Sequence, residues 1–278
     1  MKVRSTVENR GAVVLTHGAG SPGSATWDLN VEDYSMMRAL ARGGYDAYAF
    51  DARGFGGSYR PSALLDDDPR GAPVVRAREV LEDVARVIQW AREEPDRDPK
   101  RAVHLVGWSW GCVVAGLYAS ERPDDVDRLV LFAPVWDRVS HRRHITDRVW
   151  REEERSLHQG LFDPNRDSAA VHHEFVESLF RFESNDRLRL PNGPYRDLYG
   201  PDGPVWLPER VRAPTLVIRG SSDRASTRKH ALRLLDRLRQ ASFKRYVELS
   251  EAGHFAFRRR GHRSLQAEIL AFLSQPSP

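Results

Sequence analysis

Ala102-Val-His-Leu-Val-Gly-Trp-Ser-Trp-Gly111 is the stretch whose reading decides the fold. Val103 to Val106 is apolar apart from His104, as a strand buried on both faces of a parallel sheet requires. It runs straight into Gly107-Trp108-Ser109-Trp110-Gly111, a G-x-S-x-G pentapeptide, and Cys112 to Ala119 continues as an apolar helix. Strand, tight turn and helix in that order make a nucleophile elbow. The serine sits on a strained backbone, and a Cβ at Gly107 or Gly111 would clash with the crowded strand and helix. The expected result is a serine hydroxyl lifted clear of the sheet, with a helix N-terminus beneath it.

On either side the chain alternates strand and helix. Ala12 to Thr16 reads as a strand that ends in the glycine-rich loop His17 to Ser24. Tyr34 to Arg42 has helical spacing and stops at Gly43-Gly44. Ala47 to Asp51 is the next strand, followed by a turn from Ala52 to Ser58. Val80, Val84, Val87, Ile88 and Ala91 define a long amphipathic helix, closed by Pro95 and Pro99. Arg128 to Ala133 is a further buried strand, and a short edge strand is expected within Val3 to Val7. This rhythm predicts βαβ units in an α/β fold: a mostly parallel, doubly wound sheet.

After Pro134 the rhythm breaks. Val135 to Arg212 is polar, arginine-rich and dotted with aromatics, with helical spacing from Val171 to Phe180 and a coil from Pro191 to Pro208. Alternation resumes with a strand at Thr215 to Ile218, a helix carrying Leu232, Leu235 and Leu238, a strand from Phe243 to Leu249, and a last helix with Leu265, Ile269 and Phe272. The expected organisation is a core domain of residues 1–134 and 213–278, interrupted by an inserted, mainly helical cap at 135–212.

The 278 residues, 40% hydrophobic and 29% charged, suffice for one large domain with a sizeable core. No apolar run is long enough to span a membrane, and Met1 to Arg10 lacks the apolar stretch of a secretory signal. The single Cys112 excludes an internal disulfide and reads as a packing residue. A cytoplasmic protein is the expectation. The net charge is +4 with arginine far outnumbering lysine, but no basic run is interleaved with aromatics, so neither a nucleic-acid nor a membrane partner is expected.

A serine hydroxyl becomes a useful nucleophile when a general base takes its proton and a carboxylate holds that base in the right tautomer. On such a sheet both partners follow the serine, in the order acid then histidine. Asp223 follows the strand Thr215 to Ile218, and His254 follows the strand that ends at Leu249. Both lie in loops at carboxyl ends of strands, where open α/β sheets place their sites. Asp137, just past the strand ending at Ala133, is a competing acid.

These residues, with His17-Gly18 after the first strong strand and Asp51-x-Arg53-Gly54-x-Gly56-x-Ser58 after the second, resemble the α/β-hydrolase fold superfamily in its cap-bearing branch. The resemblance covers nearly the whole sheet domain. It implies an oxyanion hole made by the backbone N–H groups of Ala19 and Trp110, with structural roles for His17 and Arg53. It also implies a serine hydrolase that cleaves an ester or related acyl bond of a mostly apolar small molecule and needs no cofactor. Thioesterase, carbon–carbon hydrolase and acyl transferase or cyclase chemistry remain open on the same triad, as does a ligand-binding receptor on the same fold. A carrier-protein or coenzyme A thioester stays open as substrate. The serine counts against relatives that attack with aspartate.

Within the insert, His141, His144, His158, His172 and His173 complete no metal-ligand set and read as solvated polar residues. Arg142, Arg143, Arg148 and Arg151 beside Glu152-Glu153-Glu154 read as a solvated face, with a carboxylate or phosphopantetheine docking patch as the alternative. Trp150, Phe175, Phe180 and Tyr199 are expected mostly to pack. Trp108 and Trp110 from the sheet side, and Trp136 and Trp206 from the insert, are expected to enclose the substrate pocket.

Overall fold

A computed structural model describes residues 1–136, 147–200, 204–259 and 261–276. In chain order its elements are β1 (Lys2–Val3), β2 (Gly11–Thr16), α1 (Gly23–Trp27), α2 (Met36–Arg42), β3 (Tyr45–Ala49), α3 (Ala77–Arg92), β4 (Val103–Trp108), α4 (Trp110–Glu121) and β5 (Arg128–Phe132). After these come β6 (Trp150–Glu154), α5 (Arg155–Gln159), α6 (Ala169–Phe180), β7 (Arg187–Pro191) and α7 (Gly193–Tyr199) of the insert. The chain closes with β8 (Thr215–Gly220), α8 (Arg228–Arg237), β9 (Lys244–Leu249) and α9 (His262–Leu273).

Seven strands form one sheet in the order β1-β3-β2-β4-β5-β8-β9. Every neighbour pair is parallel except the edge pair β1–β3. The order runs outward in both directions from β2 and β4, as in a doubly wound sheet. Strands β2, β4 and β8 are buried at every position, because helices cover both faces. The carboxyl ends of β4, β8 and β9, which precede Ser109, Asp223 and His254, therefore lie along one edge. The strand expected at Ala47 to Asp51 begins two residues earlier: Tyr45 and Asp46 pair with Gly11 and Ala12. Asp46 is tolerated there because Arg97 and Arg101 neutralise its buried carboxylate, at 2.8 and 2.6 Å.

Among the described residues the insert holds three α-helices, of which α6 covers the helical spacing read from Val171 to Phe180, and also a two-stranded antiparallel ribbon, β6–β7, which the sequence did not announce. Glu152 stands opposite Arg189 and pairs with it at 3.2 Å, and with Arg187 at 3.4 Å. Leu188 and Leu190 turn inward. Part of the expected coil after Pro191 is α7, started by Pro194 in its first turn, where a missing N–H costs nothing. Asp137, His141, His144, Arg142 and Arg143 lie outside the described residues. Among the described helices none is long and apolar enough to cross a membrane.

Candidate active site

The elbow is built as its glycines require. Ser109 has φ 55° and ψ −117°, a strained conformation for a residue with a Cβ. A Cβ on Gly107 would run into the Gly111 carbonyl, and one on Gly111 into the Thr16 carbonyl. Hydrogen bonds hold the turn: Ser109 N–H donates to the Phe132 carbonyl at 3.0 Å, and Thr16 Oγ1 to the Gly111 carbonyl at 2.9 Å. Cys112 is buried beneath, its Sγ directed at the Gly107 and Phe132 carbonyls. Burial pushes its thiol pKa well up, so it stays protonated and packs.

Three residues from three loops meet at this crest. His254 Nε2 lies 2.9 Å from Ser109 Oγ, and His254 Nδ1 lies 2.8 Å from Asp223 Oδ2. The other carboxylate oxygen of Asp223 accepts the amides of Ala225 and Ser226, at 2.8 and 2.9 Å. Asp223 is thus fixed on both sides in a buried position, 4% exposed. The Trp108 indole donates to the His254 carbonyl at 2.9 Å and packs beside the imidazole.

Ala19 borders the cavity that contains Ser109. Trp110 is the first residue of α4, where a backbone N–H has no acceptor within the helix. His17 braces the Ala19 loop: its Nε2 accepts the Ala52 amide at 3.0 Å, so its Nδ1–H donates to the Gly18 carbonyl at 2.8 Å. Burial lowers its pKa and favours this neutral form. Arg53 pairs with Asp83 at 2.6 Å and stays outside the site.

The insert reaches both Ala19 and Trp110. Arg151 on β6 donates to the Ala19 carbonyl at 3.3 Å. Asp197 on α7 accepts the Trp110 indole N–H at 3.0 Å and the Ala77 amide, at the start of α3, at 2.7 Å, and it also pairs with Arg76. Neither link was legible in sequence. Arg151 looked like one of several surface arginines, and Asp197 stood in an expected coil.

Ser109 opens into a cavity of about 270 Å³. From the core come Ala19, Gly20, Ser21, Trp108, Ala225, His254, Phe255 and Arg258; from the insert Glu153, His158, Leu161, Phe175, Tyr195, Leu198 and Tyr199. Trp108, Phe175, Tyr195, Tyr199 and Phe255 give the wall an aromatic part, and Glu153 and Arg258 add two charged groups. Glu153 lies in this wall rather than on a solvated face. Burial alone would raise its pKa, but His158 and Arg151 outweigh that and hold it at about 2, so it is ionised.

Of the four tryptophans expected at the pocket, the structure places one, Trp108, in its wall. The Trp110 side chain turns away toward Asp197, His17 and Phe55. Trp206 lies flat on α4 in a slot that Gly116 leaves open, and Trp136 packs on Trp206 and under Arg237. Neither Trp136 nor Trp206 lines the cavity: Gly116 leaves room on α4 in which Trp206 is buried, and the half-buried Trp136 packs against Trp206. Tyr195 and Phe175 take their place: Tyr195 stood in an expected coil, and the helical spacing around Phe175 gave no sign of which face would meet Ser109.

Solved structures share this fold at low identity. The Paleococcus ferrophilus monoacylglycerol lipase superposes with TM-score 0.64 at 19% identity, over 98% of this chain and 97% of that one. The Burkholderia xenovorans enol-lactonase gives 0.67 at 17%, over 99% and 95%. The thioesterase domain from the curacin biosynthetic pathway gives 0.66 at 19%, over 99% and 94%. The family model for the alpha/beta hydrolase fold matches residues 11–258. With the elbow, the strand order and that match together, this chain belongs to the alpha/beta hydrolase fold family.

Proposed function

We propose that this protein is a serine hydrolase acting on an ester or related acyl bond of a small, mostly apolar molecule. The observation that carries the reading is His254 bridging Ser109 and Asp223 at 2.9 and 2.8 Å, with Ser109 on a strained elbow. Ser109 Oγ attacks the carbonyl carbon as His254 Nε2 takes its proton. Asp223 holds the tautomer whose Nδ1 carries the hydrogen and stabilises the imidazolium that forms. The N–H groups of Ala19 and Trp110 receive the oxyanion, the term that is generally largest in acyl transfer. His254 then protonates the leaving group, and water resolves the acyl-enzyme by the same steps in reverse. The insert acts as a cap: its aromatic wall excludes water, strengthens these interactions and favours an apolar acyl or aryl group.

Covalent labelling by a fluorophosphonate probe tests the nucleophile. Ser109→Ala is expected to abolish labelling and to cut aryl-ester turnover by orders of magnitude while the protein stays folded. Asp223→Asn, which favours the wrong imidazole tautomer, is expected to lower turnover by roughly 10⁴. Asp137→Asn is expected to cost far less. Undiminished labelling of the Ser109 variant, or a larger loss from Asp137→Asn than from Asp223→Asn, overturns the assignment.

A further inference from the structure

Two hollows meet at His254. One is the aromatic cavity over Ser109. The other is an open groove of about 760 Å³ along the loops that carry Asp223 and His254. Ala225, His254 and Phe255 border both. The groove is edged by three arginines, Arg166 from the insert and Arg224 and Arg259 from the core. The single carboxylate among its described lining residues is Asp223, which is already engaged with His254.

Many of the chain's arginines are closely neutralised: Arg53 with Asp83 at 2.6 Å, Arg219 with Glu248 at 2.6 Å, Arg245 with Glu268 at 2.8 Å. Those of the groove are less fully balanced, and they are gathered in one hollow. Arg224 is exposed and has no ion pair or hydrogen bond among the described residues. Arg166 reaches Asp163 only at 3.5 Å. Arg259 holds Asp167 at 2.9 Å, but Asp167 also serves the buried Arg258 at 3.6 Å, so one carboxylate answers two guanidiniums. The groove is thus a hollow edged by three guanidiniums, one of them unpaired among the described residues, that opens beside the imidazole.

The chemistry says which part of a substrate lies there, on the serine hydrolase reading above. The acyl carbonyl sits over Ser109 beside Ala19, in the small aromatic cavity. His254 returns its proton to the leaving atom, so the leaving group departs past the imidazole. Phe255 and Ala225, which border both hollows, place the groove next to that side of the imidazole. We infer that the leaving group is an alcohol or thiol that carries phosphate, bound by Arg166, Arg224 and Arg259, while the acyl group is apolar. Guanidinium forks match phosphate oxygens, and a phosphate monoester has the charge to satisfy several of them. Water supplies the atoms that balance the reaction. The acyl–oxygen or acyl–sulfur bond breaks, hydroxyl from water joins the acyl carbon, and the phosphorylated alcohol or thiol leaves with the remaining proton.

Two substrate pairs test this and separate the sources of phosphate. Butyryl-coenzyme A is compared with butyryl-N-acetylcysteamine, and 1-butyrylglycerol 3-phosphate with 1-butyrylglycerol, alongside p-nitrophenyl butyrate. In one pair kcat/KM is expected to favour the phosphorylated member by about 10-fold or more at low salt, as one charge-assisted contact supplies. Which pair responds tells thiol from alcohol. Arg224→Gln, and the double variant Arg166→Gln/Arg224→Gln, are expected to move that ratio toward one, and so is salt at about 0.5 M. If the fluorophosphonate probe labels Ser109 yet neither phosphorylated ester is favoured, or if the variants leave the ratio unmoved, this inference is overturned and the hydrolase reading stands. If the probe does not label and no ester is cleaved, the hydrolase reading fails and this inference falls with it.

Discussion

Asp197→Ala is the most informative single change outside Ser109, Asp223 and His254, because Asp197 joins the insert, the start of α3 and the elbow. Its carboxylate accepts the Ala77 amide at 2.7 Å and the Trp110 indole at 3.0 Å, and pairs with Arg76. Burial pushes its pKa up, and these donors hold the carboxylate against that burial. Truncation strands two buried N–H donors, at about 1–3 kcal/mol each. Arg76 is partly exposed and rehydrates, so its lost pairing adds less than about 1 kcal/mol. The sum is roughly 4 kcal/mol, a large share of the stability of an ordinary domain. At about 2–4 °C per kcal/mol, the melting temperature should fall by roughly 8–16 °C. Asp197→Asn keeps one acceptor oxygen and removes the cost of a buried charge, so it should lose less than half as much. With the indole released, the amide of Trp110 is held less firmly, and fluorophosphonate labelling should slow by about 10-fold, less than the loss of a whole oxyanion donor. Thermal unfolding and the second-order labelling rate measure both effects. Unchanged melting and an unchanged labelling rate in Asp197→Ala would refute the view that the insert supports the elbow.

Two further outcomes follow from other positions. His104 on β4 is 4% exposed, and burial holds its pKa at about 3, against an ordinary value of 6.5. The unfolded chain therefore binds this proton from pH 6.5 downward while the folded chain does not, so stability falls on acidification. The slope of about 1.4 kcal/mol per pH unit gives a loss of roughly 2 kcal/mol at about pH 5. Denaturant unfolding at about pH 7.5 and 5 should show that loss to be smaller by this amount in His104→Leu, and an equal loss in both proteins would contradict the assignment. Trp108 lines the cavity and braces the His254 loop whereas Trp136 packs on Trp206 away from it, so Trp108→Phe should change aryl-ester kcat/KM by more than about 10-fold and Trp136→Phe by less than about 2-fold, read by steady-state kinetics. Equal effects would place the pocket elsewhere.

Much of this site is written in short stretches of chain. The elbow is local: β4, Gly107, Ser109, Gly111 and α4 follow one another, and the glycines are needed by contacts within and next to that segment. Asp223 and His254 were legible for a related reason. Each stands in the loop after a strongly apolar strand, and a parallel sheet brings all such loops to one edge whatever the helices between them do. The alternation of strand and helix is likewise a property of neighbouring residues, and it carries the topology with it.

The insert obeys no such rule. Glu152-Glu153-Glu154 reads as part of a solvated face, and becomes a strand only because Arg187 to Pro191, more than thirty residues away, lies alongside it. Whether an aromatic side chain lines a cavity or fills a slot depends on what faces it. Trp206 is drawn to the gap over Gly116 and Trp110 to Asp197, while Tyr195 and Phe175 are left to form the wall over Ser109. Arginine composition is equally mute, since Arg151 ends half-buried beside Glu153 and Arg224 exposed in a groove with two other arginines. The fold, the strained serine and the order of its partners follow from patterns among neighbouring residues. The shape and charge around them do not, because burial and electrostatic balance are set by groups that the folded chain brings together from far apart.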